Sequence, residues 1–141
     1  MRRAVVRVVG GRVAGEVEGR RVCWPGEVTA GTVALAGWPL GQGKRMVRAI
    51  ECSSAVKDGA WGVVMCPSAD LLKPGDGGLA LREELTELAR AARAASPAVW
   101  LAVGVSRRAV GEAWDALDWT AIDRAAAQSG MDAVAEISDA G

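Results

Sequence analysis

Residues 32–67 read TVALAGWPLGQGKRMVRAIECSSAVKDGAWGVVMCP, and this stretch decides the fold class. Its two ends, TVALAG (32–37) and GVVMCP (62–67), are short and continuously apolar, as buried strands are. Between them, residues 44–58 have the spacing of an amphipathic helix. The apolar side of this helix is predicted to consist of Met46, Val47, Ile50, Ala55 and Val56. A strand, a helix and a second strand in this order indicate a βαβ unit and hence a parallel sheet.

The same alternation of strands and helices continues downstream. Residues 79–95 form the clearest predicted helix, because apolar residues recur there at steps of three and four. These residues are Leu81, Leu85, Leu88, Ala92 and Ala95. We predict a strand at 98–105, with Ser106 capping the helix that follows. A short helix at 120–129 and a last strand at 132–137 complete the chain.

The beginning of the chain predicts a β-hairpin instead. AVVRVVGG, RVAGEVEG and RRVCW are short β-branched runs that glycines interrupt, and they predict strands near 3–9, 12–17 and 21–24. We therefore divide the chain into an N-terminal hairpin segment, 1–20, and a β/α domain, 21–141. The two parts are expected to fold together as one unit, because 141 residues is an ordinary size for a single domain.

Charge and hydropathy exclude several classes of partner. The chain has 17 basic and 17 acidic residues, so no long-range field attracts nucleic acid or an anionic membrane. No apolar run approaches the roughly 20 residues that cross a bilayer, and arginines and glycines interrupt the N-terminal stretch before a secretory signal could form. We expect a cytoplasmic protein with no nucleic-acid or membrane partner.

The residue types that do not occur in the sequence exclude several kinds of catalysis. The sequence contains no histidine, which excludes Ser-His-Asp and Cys-His catalysis and histidine-ligated metals. Cys23, Cys52 and Cys66 are odd in number and widely spaced, so they indicate neither disulfides nor a zinc site. We interpret them as small buried hydrophobic residues and expect neither a metal nor another cofactor.

A glycine-rich loop between the first predicted strand and helix is a candidate phosphate site. It reads GWPLGQGK (37–44), and backbone N–H groups at the start of a helix attract anions. The spacing differs from a Walker A loop, and Arg45 stands where a magnesium-binding Ser or Thr would be. Gly41, Gly43 and Lys44 are the candidate ligand-binding residues here. An ordinary glycine-rich turn is the alternative interpretation.

Lys73 is the other candidate ligand-binding residue. It follows the predicted strand at 62–67, close to the carboxyl end where α/β folds place their sites, and Asp70 and Asp76 flank it. The alternative is a surface loop with ordinary charges.

The segment 32–76 resembles the deoxyribose-phosphate aldolase family. The resemblance lies in TVALAGWPLG, in a helix carrying Arg48 and Glu51, and in DGAWGVVMCPSADLLKPGD. It continues more weakly to AAAQSGMDAVAEISDAG at 125–141, and Val22-Cys23-Trp24-Pro25 extends it upstream. It therefore covers residues 21–141 and implies a (β/α)8 barrel that cleaves 2-deoxy-D-ribose 5-phosphate to acetaldehyde and glyceraldehyde 3-phosphate through a Schiff base.

The catalytic residues that the resemblance implies are not present. The Schiff-base lysine would fall near Ala135, and residues 131–141 contain no lysine. The proton-relay aspartate would fall near Val64, and residues 60–69 contain no carboxylate. The family's second lysine and its phosphate-binding turns lie beyond the equivalent of Gly141. We therefore assign no catalytic residue.

A shortened barrel would leave sheet edges open. We accordingly predict an incomplete (β/α) barrel-like parallel sheet whose edges are covered by the N-terminal hairpin or by a second copy of the chain, which makes a homo-oligomer the expected state. Three functions stay open. They are an inactive aldolase-like protein that retains a sugar-phosphate, phosphate or protein-binding role, an active lyase with a relocated lysine, and a non-enzymatic oligomeric subunit.

Overall fold

The computed structural model describes residues 1–37, 45–73 and 75–139, with the side chains of Arg45 and Asp139 left out. Its strands are β1 (Arg3–Val9), β2 (Arg12–Ala14), β3 (Glu16–Val17), β4 (Arg20–Cys23), β5 (Val33–Ala36), β6 (Gly62–Met65), β7 (Trp100–Ser106) and β8 (Ala133–Asp139). Its helices are α1 (Arg45–Lys57), α2 (Ala69–Leu72), α3 (Leu79–Ala95), α4 (Arg107–Val110) and α5 (Trp119–Gln128), with 3₁₀ turns at Pro25–Glu27 and Gly111–Ala116.

The strands form one eight-stranded sheet in the order β2-β1-β8-β7-β6-β5-β4-β3. Every pairing from β4 through β8 to β1 is parallel, whereas the outermost pairs, β1 with β2 and β3 with β4, are antiparallel hairpins. The prediction of a barrel-like parallel sheet with an N-terminal β-hairpin is therefore confirmed. The structure adds a second hairpin, because the predicted strand at 12–17 is divided at Gly15, whose φ is +99°.

The sheet nearly closes into a barrel, because its two outermost strands, β2 and β3, are separated in the chain only by Gly15. We call the gap between β2 and β4 the seam. Two hydrogen bonds cross it: the Val22 N–H donates to the Gly15 carbonyl oxygen at 3.3 Å, and the Trp24 indole N–H donates to that of Gly11 at 3.2 Å. On the other side, β1 pairs with β8 from Arg3 opposite Val134 onwards. The N-terminal hairpin thus lies along the edge of the parallel strands, which was one of the two predicted alternatives.

The apolar residues form two separate layers. One layer fills the barrel interior, with contributions from both hairpins and from the parallel strands: Val6, Val8, Val17, Val22, Val33, Leu35, Val64, Cys66, Ala102, Ala133, Ala135 and Ile137. The other lies between the outer face of β5–β8 and the helices, and Leu81, Leu85 and Leu88 of α3 are completely buried in it. Helix α3 has the predicted bounds and the predicted buried face.

The predicted apolar face of α1 is wrong in three positions. Met46, Val47 and Ile50 are exposed, with 72% of the Met46 surface accessible. The helix instead buries Arg48, Cys52, Ala55 and Val56. The physical reason is that a carboxylate on α3, Glu84, forms an ion pair with Arg48 and offsets the cost of burying its charge.

The cap before α4 and the three cysteines agree with the sequence-based predictions, whereas α2 was not predicted. The Ser106 hydroxyl oxygen accepts a hydrogen bond from the Ala109 N–H at 3.2 Å, which confirms the predicted cap. All three cysteines are buried and unpaired, as expected. The short helix α2 was missed because four residues are too few to establish a helical period. None of the helices in the described part of the chain is long and apolar enough to cross a membrane.

Candidate functional site

The barrel interior holds the two positions that the resemblance relates to catalysis. Val64 on β6 and Ala135 on β8 both lie in the inner apolar layer and have no accessible surface. Between them in the sheet, Gly104 of β7 leaves no spare volume: a Cβ there would come within 2.8 Å of the Cys66 sulfur and 2.9 Å of the Ile137 Cδ1. This part of the interior is therefore packed with apolar atoms rather than lined with ionisable groups.

The buried thiols offer no substitute nucleophile. Burial, reinforced by the nearby Glu51 carboxylate, raises the pKa of Cys52 to about 12. Burial also raises the pKa of Cys66 far above its ordinary value, with smaller contributions from Cys52 and Glu51. Because the thiolate is the reactive form, both groups are inert at neutral pH. Their interpretation as packing residues agrees with this environment.

A buried polar network lies at the carboxyl ends of β5 and β6, where sites in α/β folds are found. Arg48 of α1 forms an ion pair with Glu84 of α3, and both side chains are almost completely buried. The second oxygen of Glu84 accepts a hydrogen bond from the Ser68 N–H at 3.3 Å. In the same way, Glu51 accepts one from the Gly37 N–H at 3.0 Å. Two helices thereby fix the points at which both loops leave the sheet.

Sequence reasoning did not identify this network as a unit. In the sequence, Arg48 and Glu51 were singled out only as part of the family resemblance, and Glu84 was not singled out. The available signal was Glu84, which stands among the apolar residues of the predicted buried side of α3. Charges in such positions are rarely buried without a partner.

Three of the predicted ligand-binding residues, Gly41, Gly43 and Lys44, lie outside the described residues. Gly37, where their loop begins, is described. It has a φ of +75°, and a Cβ there would lie 2.5 Å from the Cys66 carbonyl oxygen. A glycine is therefore required at the point where the chain leaves β5.

Lys73 lies just after α2 on the carboxyl side of β6. Its side chain is 47% exposed, and its ammonium group is 3.5 Å from the Asp70 carboxylate. It also lines a cavity of about 20 Å³ together with Leu72, Gly77 and Asp118. This volume holds about one water molecule, too little for a sugar phosphate.

The second flanking carboxylate, Asp76, has a different role from the one considered. It accepts hydrogen bonds from the Gly78 N–H at 3.0 Å and the Ala80 N–H at 2.9 Å, at the start of α3. These hydrogen bonds lower the pKa of Asp76 below its ordinary value. Asp76 is therefore a helix-capping residue. Across the described ranges, no cluster of three or more potential metal-ligating side chains occurs.

No protein-family model and no curated protein matches the sequence. Solved structures do match. An aldolase called QR15 is 23% identical with a TM-score of 0.56, over 75% of this chain and 44% of that one. The deoxyribose phosphate aldolase from Aeropyrum pernix, described as tetrameric, is 18% identical with a TM-score of 0.54, over 74% of this chain and 40% of that one.

A third match is a putative deoxyribose-phosphate aldolase from Toxoplasma gondii ME49. It is 21% identical with a TM-score of 0.52, over 74% of this chain and 37% of that one. The chain therefore spans less than half the length of each of these proteins. The fold of the matched region is that of deoxyribose-phosphate aldolases, which confirms the resemblance at the level of structure.

Proposed function

We propose that this chain is an aldolase-like protein that does not catalyse Schiff-base cleavage and acts through binding. One observation carries the proposal: Val64 and Ala135, the positions implied for the proton relay and the Schiff-base lysine, are apolar and completely buried in the packed interior. Aldol cleavage through a Schiff base needs an uncharged lysine and a carboxylate in contact with the substrate. Neither position can supply such a group.

The described lysines support a binding role over a relocated active site. A nucleophilic lysine is typically buried or placed beside another cation, which favours its uncharged form. Lys73 is instead half exposed, and its ammonium group lies 3.5 Å from the Asp70 carboxylate. Lys57 is exposed at the end of α1.

For the ligand, we propose phosphate or a sugar phosphate at the loop that contains Gly41, Gly43 and Lys44, with Lys73 on the neighbouring loop. The proposal is supported by the carboxyl-end position of both loops and by the buried network that fixes their starting points, Gly37 and Ser68. Loops held rigidly at one end lose less entropy when a ligand orders them.

We also propose that the protein is a cytoplasmic homo-oligomer. Support comes from the outer side of α1, where Met46, Val47 and Ile50 are exposed together. Met46 and Ile50 border a shallow cavity of about 300 Å³ that reaches Ala91 of α3. Exposed apolar residues in a contiguous group are typical of interfaces. The A. pernix aldolase with this fold is described as tetrameric. Three unpaired cysteines suit a reducing compartment.

Borohydride trapping tests the central proposal. The full chain is incubated with 2-deoxyribose 5-phosphate or acetaldehyde, reduced, and analysed by intact mass and peptide mapping. We expect an unmodified chain, since a Schiff base must form before borohydride can fix it. A stoichiometric adduct on Lys44, Lys57 or Lys73 would show a relocated nucleophile and contradict the proposal.

Sedimentation tests the oligomer separately. We expect an assembly larger than one chain, and Ile50→Glu should dissociate it by placing a charge in the contact. The matched control is Ala127→Glu, which adds the same charge at an exposed position of a helix, α5, outside the lining of that cavity. A monomeric wild-type protein would contradict this part of the proposal and leave the trapping result unaffected.

A further inference from the structure

The seam between β2 and β4 encloses a cavity of about 440 Å³. The hydrogen bond between the Trp24 indole and Gly11 marks one end of the seam, and the bond between Val22 and Gly15 marks the other. Between these two contacts β2 and β4 are neighbours without a paired ladder, whereas the other neighbouring strands of the sheet are paired. The cavity is therefore a consequence of how the barrel closes.

Two arginines from different strands reach this cavity. Val13 and Val22 pack against the barrel interior, so strand alternation turns their neighbours, Arg12 and Arg21, to the outer face. Both arginines line the cavity and are exposed. The Arg21 guanidinium also donates a hydrogen bond to the Thr29 hydroxyl oxygen at 3.4 Å, which holds it in place.

The rest of the lining defines the chemistry further. Glu27 is the acidic residue of the lining, so two positive charges face one negative charge, and Cys23 and Trp24 supply apolar surface. A guanidinium fork matches the geometry of phosphate oxygens. A carboxylate beside it accepts hydrogen bonds from hydroxyl groups but repels an unaccompanied anion.

A second surface cavity differs from the seam cavity in the balance of charge among its lining residues. The cavity on the outer face of α3, of about 360 Å³, is also lined by two arginines, Arg82 and Arg90. There, however, Glu83 and Glu87 balance both positive charges. The seam cavity keeps an excess of positive charge, and it is the larger of the two.

We propose that the seam cavity binds a small phosphate monoester that carries hydroxyl groups. Arg12 and Arg21 hold the phosphate from two sides, and Glu27 accepts hydrogen bonds from the hydroxyl groups of the organic part. The cavity volume lies in the range typical of small-molecule sites. The residues that line this site fall between 12 and 27 in the chain and differ from those proposed above for the loop ligand. The inference therefore stands whether or not the proposed function is correct.

Titration calorimetry with inorganic phosphate at low ionic strength tests the site. Arg12→Gln and Arg21→Gln should each raise the Kd about tenfold, because each removes a charge-assisted hydrogen bond. Glu27→Gln should lower the Kd several-fold for this probe, which has no carbon-bound hydroxyl groups. Arg90→Gln is the matched control and should bind as the wild type does. All four positions are exposed, so the variants are expected to fold, which circular dichroism checks.

The outcomes separate this site from the loop site. Loss of phosphate binding in Lys73→Gln, with normal binding in Arg12→Gln and Arg21→Gln, would overturn the seam site and move the phosphate to the carboxyl end of the barrel. A wild-type protein that does not bind phosphate would overturn it as well. A weaker Kd in both arginine variants together with a tighter one in Glu27→Gln would establish it, because a general loss of structure cannot tighten binding.

Discussion

The strands β5 to β8 and the strands β1 to β4 share one barrel interior but differ on the outside. In β5 and β6 all residues are buried, because α1 and α3 cover the face that does not point inward. In β1 buried and exposed residues alternate, and Val5 and Val9 are 57% and 49% accessible. Inward-facing apolar residues suffice to close the barrel, whereas a helical layer is needed only where the outer face is apolar without the charged residues, Arg3 and Arg7, that β1 carries there.

The largest expected loss of stability comes from placing a charged residue on a strand. We compare the inner and outer faces of β1 with those of β7. On β1, Val8→Asp should prevent stable folding, whereas its exposed neighbour Val9→Asp should cost less than about 1 kcal/mol. On β7, Ala102→Asp and Val103→Asp should both prevent folding, because one lies in the inner layer and the other in the outer layer. Urea unfolding measures all four. Equal losses of unfolding free energy in Val8→Asp and Val9→Asp would contradict the difference between the two faces of β1.

The next largest effect contrasts a buried ion pair with an exposed one. Glu84→Gln leaves the Arg48 guanidinium buried without its carboxylate and should cost about 3–5 kcal/mol of unfolding free energy. In the region from β1 to β4, which has no helical layer, Arg2 forms an ion pair with Glu18, and its side chain is 70% exposed. Arg2→Gln should therefore cost at most about 1 kcal/mol of unfolding free energy. Chemical denaturation compares them, with Glu83→Gln on the exposed side of α3 as the control. A loss near zero for Glu84→Gln would show that the pair is not a structural requirement.

Replacing a glycine should lower the stability of the protein for a different physical reason in each of the two regions. Gly104→Ala adds a methyl group to the packed interior and should cost about 1–3 kcal/mol. Gly10 has open space around it but a φ of +56°, so Gly10→Ala should cost about 1 kcal/mol through the backbone alone. Gly10→Asn should be nearly neutral, because asparagine tolerates that conformation. Thermal unfolding of Gly10→Asn that matched Gly10→Ala would contradict a purely conformational role.

The smallest effect concerns the cap of α3. Asp76→Ala should lower stability slightly at neutral pH, while Asp70→Ala, on an exposed side chain, should change little. The pKa of Asp76 is lowered in the folded state, so its contribution is present above the unfolded value near 4 and is lost as the pH falls through the lower folded value. The difference between wild type and Asp76→Ala should therefore close on acidification. A difference that persisted in acid would exclude a role for the ionised cap.

The sequence predicted strands β5 to β8 and their helices well, because continuous apolar runs and helical spacing are local signals. The bounds of α3 and the Ser106 cap are examples. The orientation of α1 was not predictable in this way, since the burial of Arg48 depends on Glu84, which is 36 residues away in the chain. The division of the second strand at Gly15 depends on barrel closure, which is also a long-range property.

The candidate sites also differ in whether local or long-range features of the chain determine them. The positions of Val64 and Ala135 inside the barrel follow from strand alternation together with the resemblance, and the structure places both there. The seam cavity could not be predicted, because Arg12 and Arg21 come together only when β2 and β4 meet. Short charged runs in a sequence do not reveal which of their members share a cavity.

The pairing of β1 with β8 has a consequence for synthesis on the ribosome. Arg3 lies opposite Val134, so β1 finds its neighbour only after about 130 further residues have been made. At translation rates of roughly 5–20 residues per second, the N-terminal hairpin waits on the order of ten seconds before the sheet can accept it. During that interval β5 to β7 can already dock against their helices. The nascent chain therefore acquires its helix-covered region first, and barrel closure comes later.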